Sequence, residues 1–273
     1  MDIVNTTLSE PVQAGFVEDP QRPVLCFASQ QARGHRVRAH RHPRAQVVWA
    51  VSGALRVVTD SASWIVPPTH AVWIPGSMRH QVTSLTPASV RYLYIDASAC
   101  APLPEDAQVL EITPLMRELT LRTLRYEHIL CGNLPLTAQQ QQRLALLLPL
   151  LLDELAQLQA APLYLPSGKD RRLRSLMQQL IRQPGNTARL EQLAEAAGAS
   201  ARTLERLFKS ETGMSFQQWR TRLKLLESVN RLVQGESSSS IAASLGYRSS
   251  SAFVAAFHRH FGKPPQSFIR QPE

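Results

Sequence analysis

Two segments in the last third of the chain carry the same turn chemistry, and this repetition constrains the fold more than any other feature. Residues 190–213 read L-E-Q-L-A-E-A-A-G-A-S-A-R-T-L-E-R-L-F-K-S-E-T-G. Residues 241–262 read I-A-A-S-L-G-Y-R-S-S-S-A-F-V-A-A-F-H-R-H-F-G. Each has a small residue, Ala194 or Ala242, four positions before a glycine, Gly198 or Gly246. The small side chain lets two helices approach, and the glycine supplies a turn in which φ is often positive. Each glycine is followed by a serine able to cap a helix, Ser200 in the first copy and Ser249 or Ser250 in the second. An amphipathic segment centred on Phe208 or Phe257 follows. The pattern predicts two helix-turn-helix units in tandem. An ordinary helical bundle has no need of the same turn twice.

The stretches R-T-L-E-R-L-F-K-S-E-T-G (202–213), S-F-Q-Q-W (215–219), I-A-A-S-L-G-Y (241–247) and F-H-R-H-F-G-K-P-P-Q-S-F (257–268) extend over most of the last hundred residues. In this set the chain resembles the AraC/XylS family of bacterial transcription regulators. The resemblance implies a DNA-binding domain whose two recognition helices enter neighbouring major grooves of double-stranded DNA. Helical spacing puts Arg202, Glu205, Arg206 and Lys209 on the outer face of the first recognition helix, with Leu204, Leu207 and Phe208 inward. By resemblance Arg202, Glu205 and Arg206 match base-contacting positions; Arg reads guanine and Glu accepts from cytosine. Lys209 is assigned to phosphate. In the second unit the outward positions are Ser250, Ser251, Ala252 and Ala255, small residues suited to phosphate and van der Waals contacts. The competing reading of these charges is a solvated helix face, and of the serines simple capping.

Charge agrees. The net charge is +9, and residues 167–273 hold 17 Lys and Arg against 8 Asp and Glu, so the whole excess lies there. That is the electrostatic footprint of a nucleic-acid surface. Three scattered cysteines, Cys26, Cys100 and Cys131, with no C-x-x-C pair, argue against a disulfide framework. The polar, acidic start M-D-I-V-N-T-T-L-S-E is not expected to be a signal peptide. The longest apolar run, residues 144–152, is too short to span a bilayer and contains Pro149. A cytoplasmic protein with no membrane partner is expected.

The expected architecture is mixed, with two domains. Residues 1–105 form an all-β cupin-like barrel, 106–166 a helical dimerisation and linker region, and 167–273 an all-α DNA-binding domain. Strands are read at 45–52, 54–59, 71–74 and 90–95, punctuated by Gly53, Asp60-Ser61, Pro67-Pro68 and Pro75-Gly76. Thr113-Pro114 starts a helix predicted to reach Glu127. Another helix spans 137–158, with Leu144, Leu148, Leu151, Leu155 and Leu158 on one face. Pro149 is expected to kink or divide it. The leucine face is either a homodimer contact, by resemblance an antiparallel helix pair, or core of its own chain. The stretch A-P-L-Y-L-P-S-G (161–168) reads as an interdomain linker.

A second pattern lies near the amino terminus. Gly34, His40, His42, Gln46 and Gly53 are spaced like a first cupin motif, and Pro75, Ser77 and His80 like a second. The chain departs from that pattern where Gln46 replaces an acid and Ser77 a glycine. The resemblance implies that His40, His42 and His80, with Gln46, face one site inside a small barrel. Alternation supports it: Gln46, Val48 and Ala50 share one strand face, and His80, Val82 and Ser84 another. Three imidazoles can bind a divalent transition metal such as Zn, Ni, Cu or Fe(II), and Gln offers only a weak neutral oxygen. The alternative is a basic loop, with Arg36, Arg38, Arg41 and Arg44, or a site for an anionic effector.

These readings lead to a sequence-specific regulator that senses a small molecule or metal and is not an enzyme. Its expected partners are double-stranded DNA, the effector, a second copy of the chain and, for an activator, RNA polymerase. Two rivals stand beside it. One is a metal-dependent cupin enzyme, such as a dioxygenase, with a DNA-binding tail; the Gln at position 46 and the placement of the positive charge argue against it. The other is a non-specific architectural DNA-binding protein, and the Arg- and Glu-rich outer face argues against that.

Overall fold

The computed structural model describes residues 8–132 and 134–269. The amino-terminal segment read above as no signal peptide lies mostly outside them, as do the last four residues of the expected DNA-binding domain. Contacts divide the chain into two compact units. One consists of the chain up to Thr59 and Val66–Pro162; the other consists of Asp60–Ile65 and Leu163–Ile269.

The first unit is strand-rich. Strands β1 (Leu8–Ser9), β2 (Val24–Gln31), β3 (Arg36–Val37), β4 (Ala45–Ser52) and β5 (Leu55–Thr59) precede β6 (Ala62–Val66), which leaves for the other unit. β7 (His70–Ile74), β8 (His80–Ser84), β9 (Ala88–Ile95), β10 (Gln108–Glu111) and β11 (Ala160–Ala161) complete it. One sheet runs β11-β10-β7-β4-β9-β2, and β1, β3, β8 and β5 are neighbours in the other. β4 and β7 are almost wholly buried, which explains why their sequences read as continuous apolar runs. β8 alternates buried and half-buried residues, with His80, Val82 and Ser84 inward as expected. Trp49 and Trp73 are each 1% exposed, and their indole N–H groups donate to the carbonyls of Pro68 and Pro104, both at 2.8 Å. Burying roughly 200 Å² of each ring is worth about 5 kcal/mol of gross transfer free energy, and the two bonds keep the polar tips satisfied.

Helices flank these strands. Thr113 caps α1 (Pro114–Thr123), which is shorter than expected; a 3-10 turn at Leu124–Tyr126 then leads into α2 (Glu127–Gly132). Thr137 and Gln140 form a capping box at the start of α3 (Ala138–Gln157). The expected division at Pro149 is not seen: α3 is one helix through the proline. The five leucines are buried within their own chain, Leu151 and Leu155 almost completely, and α3 packs on α1. Of the two readings left open for that face, homodimer contact or core, this burial matches the core. The solvent side of α3 instead carries Leu146 and Leu150, 72% and 47% exposed.

The expected linker at 161–168 does contain the boundary between the two units, at Pro162 and Leu163, but it is not an irregular segment. Ala161 ends β11, which pairs with β10, and Tyr164–Pro166 forms β12, antiparallel to β6 with Tyr164 opposite Trp64. Leu163 and Leu165 are buried, so the segment belongs to a core. The second unit is thus helical with one strand pair. Asp170 caps α4 (Arg171–Arg182). Then come α5 (Leu190–Ala196), α6 (Ala201–Thr212), α7 (Phe216–Val233), α8 (Ser238–Ser244), α9 (Ser250–Phe261) and α10 (Pro265–Ile269). Phe208, Phe216 and Trp219 cluster with centroids within 5.6 Å, and the Trp219 indole donates to Pro166 O at 2.9 Å. Phe253, Phe257, Phe261 and Phe268 form a second aromatic cluster. No helix among the described residues is long and apolar enough to cross a membrane.

Candidate histidine centre and nucleic-acid interface

The two helical hairpins form as the turn chemistry requires. Gly198 and Gly246 have φ of 64° and 71°, in the left-handed region that glycine adopts without steric cost. Ala194 and Ala242 are buried between the helices of each unit. Ser200 Oγ accepts the Thr203 N–H and Ser249 Oγ accepts the Ala252 N–H, so Ser249 and not Ser250 is the second cap. Each cap is worth about 1 kcal/mol.

On α6, Leu204, Leu207 and Phe208 are buried while Arg202, Glu205, Arg206 and Lys209 are exposed. The four differ in their local partners. Glu205 accepts the Phe216 N–H at 3.4 Å, and Lys209 Nζ donates to Gly213 O at 3.2 Å, closing the end of its own helix. Arg202 and Arg206 have no protein partner among the described residues. On α9, Ser251 and Ala255 are exposed as expected; Ser250 and Ala252 are half-buried, because the first turn of α9 leans on α8. Two further cations that the spacing did not single out are also exposed here, Arg248 in the turn before α9 and Arg259 on α9.

In the strand-rich unit, His40, His42 and His80 come together. Backbone bonds join His40 and His80 in both directions, at 3.0 and 2.8 Å, across an isolated bridge. Ring centroids lie 4.4 to 5.3 Å apart. Each Nδ1 lies on a backbone carbonyl two residues away: Arg38 O at 2.8 Å, Arg44 O at 2.7 Å and Met78 O at 2.9 Å. A neutral ring that donates from Nδ1 leaves its Nε2 as a lone-pair donor. The three rings offer ligand atoms within 4.8 Å of one another. His42 Nε2, His80 Nε2 and Gln46 Oε1 are buried without a hydrogen-bond partner. Orphaned groups of this kind cost about 1–3 kcal/mol each, so the cluster is a strained acceptor set.

Burial lowers the pKa of all three imidazoles, with His80 pushed down to about 3. They are neutral at pH 7, the form that binds metal. Three uncharged nitrogens, two of them buried and the third, of His40, at a half-buried position, together with one amide oxygen fit a borderline divalent ion such as Zn(II), Ni(II) or Cu(II). The basic-loop alternative does not hold for the group as a whole. Arg36, Arg38 and Arg41 are exposed, but Arg44 is 1% exposed. Its guanidinium donates to the carbonyls of Val17, Asp19, Pro23 and Tyr94 and lies 3.5 Å from the Asp96 carboxylate.

Three neighbours of the cluster carry no short-range sequence signal. Gly15 lies against His42; a Cβ there would meet the imidazole at 2.8 Å. Tyr94 and Phe16 meet His42 edge-on at 5.4 and 5.9 Å. Ser77, in place of the motif glycine, has φ 63° and donates its N–H to His42 O at 2.7 Å. It is the one non-glycine residue with positive φ among the described residues.

A strand-rich unit with a buried polar cluster and a helical unit with two capped helix-turn-helix motifs together define a DNA-binding regulator with a sensor domain. Comparison with known proteins identifies which. The model of the AraC-like ligand binding domain matches residues 22–161, and that of a helix-turn-helix domain matches 193–271. The HTH-type transcriptional regulator NimR of Escherichia coli (strain K12) is 34% identical over 230 residues, 84% of this chain and 81% of that protein. The HTH-type transcriptional regulator RipA of Corynebacterium glutamicum is 36% identical over 103 residues, 38% of this chain and 31% of that protein. Among solved structures, ToxT from Vibrio cholerae aligns over 90% of this chain and 98% of its own at 11% identity, with a TM-score of 0.38. The chain belongs to the AraC family of helix-turn-helix transcription regulators. It is a DNA-binding regulator with an amino-terminal ligand-binding domain.

Proposed function

We propose that this regulator senses a divalent transition metal through His40, His42 and His80, with Gln46 as a weak fourth ligand. The observation that carries the reading is the convergence of three imidazoles whose Nδ1 atoms are occupied by carbonyls, with the Nε2 atoms of His42 and His80 buried and without partners. Backbone carbonyls that fix ring orientation in this way are the usual second layer of a metal site. Gln46 in place of a carboxylate speaks against an oxygenase built on two histidines and an acid.

On the DNA side, Arg202, Glu205 and Arg206 of α6 are proposed to read base edges. Arg206 and Arg202 are the stronger candidates because neither is engaged locally. Lys209 and the α9 residues Ser250 and Ser251 are proposed to contact phosphate. α7, with 18 residues, is about 27 Å long. Major grooves on one DNA face recur at about 34 Å, so both motifs reaching one site requires some bending of the DNA. The regulator is proposed to act as a cytoplasmic homodimer through Leu146 and Leu150 of α3, to contact RNA polymerase where it activates, and to catalyse no reaction.

Elemental analysis of untagged protein, followed by operator binding with and without added Zn(II), tests the sensor. Near-stoichiometric metal that is lost in His42→Ala/His80→Ala, together with loss of the metal-dependent change in operator affinity, is the expected result. Metal-free protein whose operator binding ignores Zn(II), Ni(II) and Cu(II) would overturn it.

A further inference from the structure

A groove of about 650 Å³ opens in the strand-rich unit between α3, residues 134–136 and residues 19–23. This is within the range of small-molecule sites. Leu130, Leu134, Leu136, Leu144, Leu148 and Pro149 make its apolar walls. Asp19 and Arg22 stand at its polar end and neutralise each other: Arg22 Nε donates to the Asp19 carboxylate at 2.7 Å, and Nη1 donates to Leu130 O at 3.2 Å. The groove therefore has no net charge with which to select an ion.

It does have an open acceptor. In a helix, the carbonyl of residue 145 points at the nitrogen of residue 149. That residue is proline, which has no N–H. The Ala145 carbonyl consequently lacks its helical donor, and Ala145, Leu148 and Pro149 all line the groove. We infer that the groove binds a neutral, largely apolar small molecule with one hydrogen-bond donor, a phenol or an alcohol, whose hydroxyl donates to the Ala145 carbonyl. The leucine and proline walls take the apolar body. The hydroxyl approaches from the groove side, because the Pro149 ring occupies the place of the missing N–H, and supplies the donor that the proline cannot.

The groove is also linked to the histidine cluster. Arg44 ties residues 17–23 down through the carbonyls of Val17, Asp19 and Pro23. Its own N–H donates to Gly15 O, and Gly15 lies against His42. A ligand that shifts the wall at residues 19–23 thus acts on the segment that seats His42. The site itself stands without the metal reading.

The test is calorimetric titration of full-length protein in chelator, without DNA or metal, so its outcome is independent of the histidines. The probes are 4-tert-butylphenol and its methyl ether, which share a body and differ in the donor. The phenol should bind about tenfold more tightly, the net worth of one neutral hydrogen bond. Pro149→Ala supplies an N–H that closes on the Ala145 carbonyl. The phenol's advantage should then vanish while the helix content stays the same. Ala145→Trp, at an exposed wall position, should fill the groove and remove binding of both probes. Equal affinities in the wild type, a preference that survives Pro149→Ala, binding that survives Ala145→Trp, or no binding of either probe would each overturn the inference.

Discussion

Acidification of the metal-free protein tests the burial of the histidine cluster. His80 is 2% exposed, and burial pushes its pKa from 6.5 to about 3. The sign follows from linkage. The folded value lies below the unfolded one, so the unfolded chain takes up a proton first as pH falls. The stabilisation is therefore complete above pH 6.5 and is lost progressively toward pH 3. At pH 5 the loss from His80 is about 1.4 kcal/mol for each of roughly 1.5 pH units, or about 2 kcal/mol. His40 and His42 shift in the same direction for the same reason. For a protein of this size 2 kcal/mol corresponds to roughly 4–8 °C in Tm. The assay is thermal unfolding between pH 7 and 5 in chelator, a window in which most carboxylates stay ionised. Near-UV circular dichroism reports on Trp49 and Trp73 inside the strand-rich unit. His80→Phe should flatten the slope, and saturating Zn(II) should raise Tm at pH 7 and steepen the loss, since protons and metal compete for the same nitrogens. A Tm that stays level from pH 7 to 5, or a slope unchanged in His80→Phe, would refute the reasoning.

Three further outcomes are expected. Ser77→Gly should stabilise the protein by about 0.5–1 kcal/mol in urea unfolding, because Ser77 sits at φ 63° and glycine removes that strain at some entropic loss; a lower midpoint would contradict it. Arg206→Ala should weaken the preferred operator by about 1–3 kcal/mol and relax specificity at one position; an equal loss on random DNA would reduce Arg206 to a phosphate contact. Leu146→Glu with Leu150→Glu should yield a folded monomer by light scattering where the wild type is a dimer; a wild type that is already monomeric, or a variant that still dimerises, would remove α3 from the interface.

The parts of the fold that were legible in the sequence are those whose causes are local. Gly198, Gly246 and Ser200 each act within a few residues of themselves, by φ or by one capping bond, so both helix-turn-helix units could be read directly. The histidine spacing located the centre for a related reason, since His40 and His42 lie two residues apart beside β4. What spacing could not convey was non-local. β2 pairs with β9 from Val24 opposite Ile95 to Gln31 opposite Ala88, far apart in sequence, and nothing within β2 specifies that partner. Arg44 read as one of a run of surface charges because its acceptors at residues 17–23 and 94 are remote in sequence. Gly15 gave no sign of His42 for the same reason.

Pro149 shows how such a local rule is overridden. A proline inside a helix costs about 3 kcal/mol, and on that rule α3 should end or break near residue 148. Leu144, Leu148, Leu151 and Leu155 are each at most 8% exposed, and all four keep their places only if the helix runs through. Each buried leucine contributes about 2 kcal/mol, so the two that follow the proline already offset its cost. A long stripe of leucines on both sides of a proline therefore outweighs the proline. The price appears elsewhere, as a carbonyl at Ala145 without a helical donor on the wall of a groove.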